Sequence, residues 1–158
     1  MLMLLFYLGE ATYGINCEKI REICPLVKLE KIPHAPNYFA GLFKYRGAIV
    51  PVIDLRRLVQ DEPCEMRLST RIILVDFQEK DGTGYIVGFM AERVTETVRQ
   101  AREAFVSSGI SMNGAPFLGG IMMENDHMVQ LIDLDRLPES FKLLPMPDAM
   151  NNKGKASE

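Results

Sequence analysis

The chain has 158 residues, of which 47% are hydrophobic, and its 18 basic and 21 acidic side chains give a formal net charge of −3. A chain of this length can bury a core of its own, and its charge balance gives no basic footprint for nucleic acid. Three cysteines with no C-x-x-C pair argue against a disulfide framework or a zinc ribbon.

The first predicted element is a β-hairpin at the start of the sequence. Met1 to Leu8 reads MLMLLFYL, which lacks the basic leader and cleavage site of a signal peptide and is far shorter than a membrane span. Its length suits a strand buried on both faces, and Gly9-Glu10 supplies the turn into a second strand. We therefore expect a core hairpin and no direct membrane insertion.

Strand patterns dominate the rest of the chain, and the helices are predicted to be few and short. Ile72–Phe77 and Tyr85–Met90 flank a turn sequence and predict a second hairpin. Val94–Val98 alternates apolar with polar residues and predicts a half-buried strand. One helical turn is expected at Cys17–Arg21 and another at Pro138–Leu144.

An internal repeat gives the most specific prediction of the fold. Residues 50–58 match residues 129–137 at six of nine positions with an offset of 79, and Gly41 pairs with Gly120 at the same offset. Two copies of a supersecondary unit predict similar β units related by a pseudo-twofold axis. Short strands with glycine-rich turns commonly close into barrels. The sequence therefore predicts a mainly β fold of two small barrels.

Asp54 and Asp133 are the clearest candidates for paired catalytic carboxylates. Both follow an apolar strand and precede a Leu-x-Arg-Leu turn, where an aspartate accepts backbone N–H bonds as a cap. We favour the cap, because equivalent positions in two barrels hold the acids apart. His34 and His127 lack further ligands at metal-binding spacing, and no phosphate-binding glycine motif is present, so we expect neither a metal nor a cofactor.

Two expectations concern packing rather than chemistry. Glu22 and Arg46 are expected to pair if their strands adjoin, because a forked guanidinium matches a carboxylate. The alternative is a surface pair worth at most about 1 kcal/mol. Four methionines are expected in the core: Met90, Met122, Met123 and Met128.

Several motifs occur together in an order that is typical of one known family. These motifs are Leu5–Glu10, Ile20–Ile23, Ile32–Pro36, Arg46-Gly47 and Val50–Leu55. From about Leu5 to Leu137 the chain resembles the CheW-like domain of bacterial chemosensory coupling proteins. Leu26–Leu29 and Leu68–Arg71 are more similar to the coupling proteins of Wsp-type surface-sensing pathways than to those of flagellar chemotaxis.

The resemblance implies two side-by-side five-stranded SH3-like barrels, in agreement with the repeat, and a function without catalysis. Such an adaptor couples the cytoplasmic tip of a methyl-accepting chemoreceptor to the regulatory domain of a CheA-type histidine kinase. Its place is the cytoplasm, at membrane-associated receptor arrays. The residues assigned by this resemblance to the receptor side are Ile20, Glu22, Ile23, Gly41, Tyr45 and Arg46.

Two departures from the family pattern bear on the choice of partner. Lys44-Tyr45 replaces the Asn-Leu that usually precedes Arg-Gly, and Ala91-Glu92 replaces a Val-Asp. A positive charge and an aromatic ring are therefore expected beside the contact surface, where charge and shape select partners. Tyr45 and Arg46 are also residue types that anchor interfaces.

Domain limits and an alternative function complete the expectations. Residues 1–144 are expected to form the CheW-like domain, and the Pro- and Asn-containing segment 145–158 a mobile tail. The alternative function is a small β-barrel that binds a ligand or regulates without a kinase partner, and a ligand-binding barrel would show a concave apolar pocket. An enzyme built on Asp54, Asp133 and a histidine would bring these groups into one pocket.

Overall fold

The computed structural model describes residues 1–107, 109 and 115–140, so the predicted tail at 145–158 lies outside the described residues. Within these residues the chain forms nine strands: β1 Leu2–Leu8, β2 Ala11–Asn16, β3 Ile20–Pro25, β4 Phe39–Tyr45, β5 Ala48–Asp54, β6 Arg71–Gln78, β7 Gly84–Arg99, β8 Leu118–Glu124 and β9 His127–Ile132. One α-helix, α1, spans Leu55–Gln60, and 3₁₀ turns lie at Cys17–Lys19, Arg102–Ala104 and Leu134–Ser140. The mainly β prediction is confirmed.

Helices in the described part of the chain are all short. None of them is long and apolar enough to cross a membrane.

The long strand β7 belongs to two five-stranded sheets. Its first half lies in the order β4–β5–β7–β6–β3, which we call barrel 1, and its second half lies in the order β7–β1–β2–β9–β8, which we call barrel 2. One isolated β-bridge closes each barrel. It joins Glu30 to Leu42 in barrel 1 and Val106 to Ile121 in barrel 2. The two side-by-side SH3-like barrels are therefore present, and they share one strand.

The sequence repeat follows the pseudo-twofold relation between the barrels. β4, β5 and α1 correspond to β8, β9 and the 3₁₀ turn at Leu134–Ser140. Arg46-Gly47 has φ values of 47° and 85°, and Asn125-Asp126 has values of 48° and 63°. Two positive φ values are what a two-residue type I′ hairpin turn requires. β1 and β2 complete barrel 2 from the other end of the chain, so the two units are intertwined.

Gly41 and Gly120 have the same role in the two barrels. A Cβ on Gly41 would lie 2.8 Å from the carbonyl oxygen of Glu30, and a Cβ on Gly120 would lie 3.0 Å from that of Val106. Each glycine thus lets the segment that closes its barrel approach the strand. This close approach explains why the repeat includes the glycine pair.

β1 is buried on both faces, as its sequence predicts. Its alternate side chains enter two clusters. Leu4, Phe6 and Leu8 join the large cluster, which runs from the core of barrel 1 to Ile15 and Ile132 of barrel 2, and Met3 and Leu5 join a small cluster within barrel 2. Successive side chains of a strand point to opposite faces. One hairpin therefore contributes to both cores.

The second helical turn needs a correction. It was expected at Pro138–Leu144, but the 3₁₀ turn begins at Leu134, and the residues after Ser140 lie outside the described part of the chain. The Asp133 side chain accepts the backbone N–H of Asp135 at 3.1 Å. The turn begins early because this aspartate caps it.

The first helical turn and the strand at Val94–Val98 also differ in extent from their predictions. Asn16 caps the first turn as expected, but the turn ends at Lys19 because Ile20 begins β3. Val94–Val98 is a strand, but it continues β7 rather than forming a separate element. A positive φ of 42° at Arg93 marks the point where β7 passes from barrel 1 to barrel 2.

The methionine prediction is correct for half of the residues it named. Met90 and Met122 are buried, whereas Met123 and Met128 are 61% and 62% exposed and pair across β8 and β9. The prediction was wrong for this pair because apolar character alone does not tell which face of a strand a side chain occupies.

Glu92, near the middle of β7, ties the two barrels together. Its Oε1 accepts the N–H of Gly9 at 2.7 Å, and its Oε2 accepts the N–H of Glu65 at 2.5 Å and Arg56 Nη1 at 3.0 Å. Burial alone would raise the pKa of Glu92, but the two N–H groups and the guanidinium lower it below its ordinary value. Gly9 lies in the β1–β2 turn of barrel 2, and Arg56 and Glu65 belong to barrel 1.

We expect Glu92→Ala to lower the free energy of unfolding by about 3 kcal/mol, because it removes the acceptor that the N–H groups of Gly9 and Glu65 share with Arg56. The Arg56 guanidinium keeps its ion pair with Glu62. Urea unfolding followed by circular dichroism measures this loss. Glu96→Ala removes an exposed carboxylate from the same strand and should change the free energy by less than about 0.5 kcal/mol. Equal effects of the two substitutions would show that Glu92 is not a structural tie.

Candidate functional site

Glu22, Tyr45 and Arg46 meet at the β4–β5 turn of barrel 1. The Tyr45 hydroxyl donates to Glu22 Oε1 at 2.9 Å, and Arg46 Nη2 donates to the same oxygen at 3.2 Å. Arg46 Cζ lies 5.2 Å from the centroid of the Tyr45 ring, in a cation–π contact. The predicted Glu22–Arg46 ion pair is confirmed. Together with the Tyr45 hydrogen bond it joins β3 to the end of β4, the two terminal strands of the barrel 1 sheet.

Cys24 holds the other oxygen of the Glu22 carboxylate. Its thiol donates to Glu22 Oε2 at 3.4 Å. Burial, together with the neighbouring carboxylate, raises the pKa of Cys24 to about 11, so the thiol keeps its proton at neutral pH. Cys24 was not among the residues predicted for this cluster. The signal that could have found it is its spacing of two from Glu22 on one strand, which puts both side chains on one face.

The pKa of Glu22 shows which neighbours stabilise its charge. The hydrogen bond from Tyr45 lowers the pKa of Glu22 most, the Cys24 thiol lowers it next, and the charge of Arg46 makes a smaller contribution against some desolvation. The carboxylate is therefore held in its charged form mainly by neutral donors.

Tyr45 anchors this cluster in the protein. It is only 9% exposed, and its ring packs edge-on against Phe43 with 6.4 Å between the ring centroids. The side chains of Arg46 and Glu22 are 75% and 39% exposed. An exposed ion pair alone is weak, but a buried tyrosine that fixes the carboxylate also restricts the guanidinium. Arg46 therefore presents its remaining N–H groups from a defined position.

A β-bulge in β3 separates the apolar from the polar residues expected at this site. The pairing of β3 with β6 skips one residue at Arg21, between Ile20 and Glu22. As a result, Ile20 and Ile23 share one face of β3, whereas Glu22 shares the other face with Cys24. Ile23 is 41% exposed and Ile20 is partly buried.

Gly41, the remaining residue expected at the site, lies within β4. Its φ is 145°, and it is buried beneath the segment that contains Glu30. The structure therefore places Gly41 under the surface, where it sets the path of the segment that closes barrel 1.

The two candidate catalytic aspartates are caps. Asp54 Oδ1 accepts the N–H of Arg57 at 3.1 Å and its Oδ2 accepts the N–H of Cys64 at 3.0 Å. Asp133 accepts the N–H of Asp135, so the two acids share no partner and the cap prediction is confirmed. No group of three or more His, Cys, Asp or Glu side chains that could hold a metal ion occurs in the described part of the chain.

Two clefts in the described part of the chain differ from the pocket of a ligand-binding barrel. A cleft of about 420 Å³ beside Glu92 is lined by glycine and charged side chains, and a cleft of about 440 Å³ near Phe77 is lined mainly by polar and charged side chains. Pockets for small molecules are usually apolar with a few polar groups. These linings give no support to the ligand-binding alternative.

The structure is a double SH3-like barrel in which buried Tyr45 orients the carboxylate of an exposed ion pair, and the two candidate catalytic aspartates are caps. The family model of the CheW-like domain matches residues 2–142, and the chain therefore belongs to the CheW-like domain family. The resemblance seen in the sequence is confirmed. Proteins of this family are non-catalytic adaptors of chemotaxis signalling, so the chain is an adaptor and not an enzyme.

Individual relatives agree with this assignment. Chemotaxis protein CheV3 of Helicobacter pylori is 29% identical over 145 residues, which are 91% of this chain and 46% of that protein. Chemotaxis protein CheW of Klebsiella aerogenes is 28% identical over 140 residues, which are 89% of this chain and 82% of that protein. The chain thus spans about half of CheV3 and most of CheW.

A solved structure shows the same fold. The crystal structure of the scaffolding protein TtCheW from Thermoanaerobacter tengcongensis matches with a TM-score of 0.74 and 26% identity, covering 86% of each chain.

We expect Tyr45→Phe to raise the pKa of Glu22 more than Arg46→Ala does, because the hydroxyl hydrogen bond contributes more to the lowered pKa than the guanidinium charge does. A carboxyl-detected NMR titration of both variants measures the two shifts. A larger shift in Arg46→Ala would show that charge, and not the buried tyrosine, fixes the carboxylate.

Proposed function

We propose that this chain couples a methyl-accepting chemoreceptor to a CheA-type histidine kinase in receptor arrays at the cytoplasmic face of the membrane, with residues 1–144 as the adaptor domain. The observation that carries the proposal is the Glu22–Tyr45–Arg46 cluster, a fixed and exposed contact site on a double-barrel scaffold. The names of its relatives, chemotaxis proteins and a scaffolding protein, support the same role.

The receptor tip is proposed to bind along β3. This strand is at the end of its sheet, and Ile23 and the Glu22–Arg46 pair are exposed next to each other on it. Ile20 and Ile23 offer apolar contact on one face, and Glu22 and Arg46 offer a fixed polar contact on the other. Apolar side chains that become buried next to an arginine are typical of the residues that carry binding energy at interfaces.

The kinase regulatory domain is proposed to bind elsewhere on the barrels, so that both partners are held at once. Two weak contacts made by one adaptor strengthen each other through effective concentration when receptor and kinase are held in the same array. The narrower placement in a Wsp-type surface-sensing pathway stays a prediction, and the identity of the receptor that binds would decide it.

Binding measurements with single substitutions test this proposal. We expect the purified chain to bind a soluble receptor-tip fragment and a kinase regulatory domain, each with micromolar affinity by calorimetry. Glu22→Ala and Arg46→Ala should each weaken receptor binding by roughly tenfold, the loss of one hydrogen-bonded charge contact at an interface. Kinase binding should not change, because these residues lie on the proposed receptor side.

A matched control variant separates the loss of a specific contact from the loss of a positive charge in general. Arg99→Ala removes an exposed arginine at the far end of β7 and should leave both affinities unchanged. Receptor binding that survives Arg46→Ala would refute the assigned surface. A folded chain that binds neither partner would refute the coupling function.

A further inference from the structure

Two lysines near Arg46 have no partner among the residues that the structure describes. Lys44 precedes the turn on β4, Lys28 lies in the segment that closes barrel 1, and both side chains are exposed. Among the described residues neither lysine has a hydrogen-bond or ion-pair partner, and Glu22 is the one acceptor of the Arg46 guanidinium.

Lys28 and Lys44 flank the bridge that closes barrel 1. Glu30 bridges Leu42 in antiparallel register. Lys28 lies two residues before Glu30 and Lys44 two residues after Leu42, towards the same end of this bridge. Arg46 follows Lys44 by two residues at the β4–β5 turn, and we call these three cations the basic strip.

Two basic residues near the start of β3 are paired within the chain. Lys19 pairs with Asp135, and Arg21 pairs with Asp76 at 2.9 Å. Lys31 and Lys80 are exposed and, among the described residues, have no hydrogen-bond or ion-pair partner. In a chain whose net charge is −3, what distinguishes the basic strip is therefore its place next to the Glu22–Tyr45–Arg46 cluster.

We infer that the basic strip of Lys28, Lys44 and Arg46 binds carboxylate side chains of the protein that docks on the receptor side. This inference rests on the proposed function and names the chemistry of its partner. The free N–H groups of Arg46 suit a carboxylate, and charges at a rim steer the encounter and select the partner. The Glu22 carboxylate within the same surface disfavours a polyanion such as nucleic acid, whereas separate acidic side chains can bind beside it.

The partner surface is consequently both apolar and acidic. Ile23 is exposed next to Glu22 on the same terminal strand, so a segment that packs against Ile23 also lies close to the Glu22–Arg46 pair. A helix with apolar residues on one side and acidic residues at its border fits this pattern.

The test is a comparison of charge reversals in the full chain. Calorimetry measures the affinity of the wild type for receptor-tip fragments of methyl-accepting chemoreceptors from the same genome, at low and at raised salt. We expect the double variant Lys28→Glu with Lys44→Glu to lose roughly tenfold in affinity at low salt, and we expect the difference to shrink as salt screens the charges. The affinity of the double variant for the kinase regulatory domain should equal that of the wild type, which shows that it is folded.

The matched control reverses two charges away from the strip. Lys80→Glu with Arg99→Glu alters exposed residues in the β6–β7 turn and at the end of β7 and should change receptor affinity by less than about twofold. Two results would refute the acidic partner while leaving the coupling function intact. In the first, the wild type and both double variants bind the receptor equally well. In the second, the loss of receptor affinity does not depend on the salt concentration. If the wild type binds no receptor fragment, the proposed function and this inference both fail.

Discussion

β7 is hydrogen-bonded into both barrels, and their relative position depends on the buried carboxylate of Glu92 near its middle. The strand bends there, with a positive φ at Arg93. Withdrawing a carboxylate from water is costly unless its oxygens are satisfied, and here Gly9, Glu65 and Arg56 supply three donors from both barrels. Because these donors come from the β1–β2 turn, from α1 and from the segment before β6, one carboxylate links both barrels.

A rigid scaffold matters for an adaptor because ordering a surface during binding costs free energy. The same principle acts at the contact site on a smaller scale. Buried Tyr45 fixes the Glu22 carboxylate, and this carboxylate restricts the exposed Arg46 guanidinium. The contact also joins the two terminal strands of barrel 1, so the docking surface and the closure of the barrel depend on the same side chains.

Much of the fold could be predicted because local signals agree with each other. The repeat, the two-residue turns and the paired glycines all indicate two related β units, and the apolar run at Leu2–Leu8 indicates a strand buried on both faces. The way the units share strands could not be predicted. β2 pairs with β9 in parallel, and Thr12 lies opposite Val129. No local pattern encodes a pairing between residues so far apart in the chain.

The site was predictable in its residue types and less so in its geometry. Matching charges indicated the Glu22–Arg46 pair, but the β-bulge at Arg21 decides that Ile20 and Ile23 share a face, and a bulge adds a residue without a clear sequence signal. The thiol of Cys24 was missed because a buried cysteine is by default a small apolar side chain.

The central claim is that one chain binds a receptor and a kinase at the same time through separate surfaces of a rigid double barrel. Sedimentation velocity on a mixture of the chain, a receptor-tip fragment and a kinase regulatory domain tests it directly. We expect a complex that contains all three components and sediments faster than either binary complex. If each partner displaces the other, so that only binary complexes form, the chain has a single docking surface and does not couple the two.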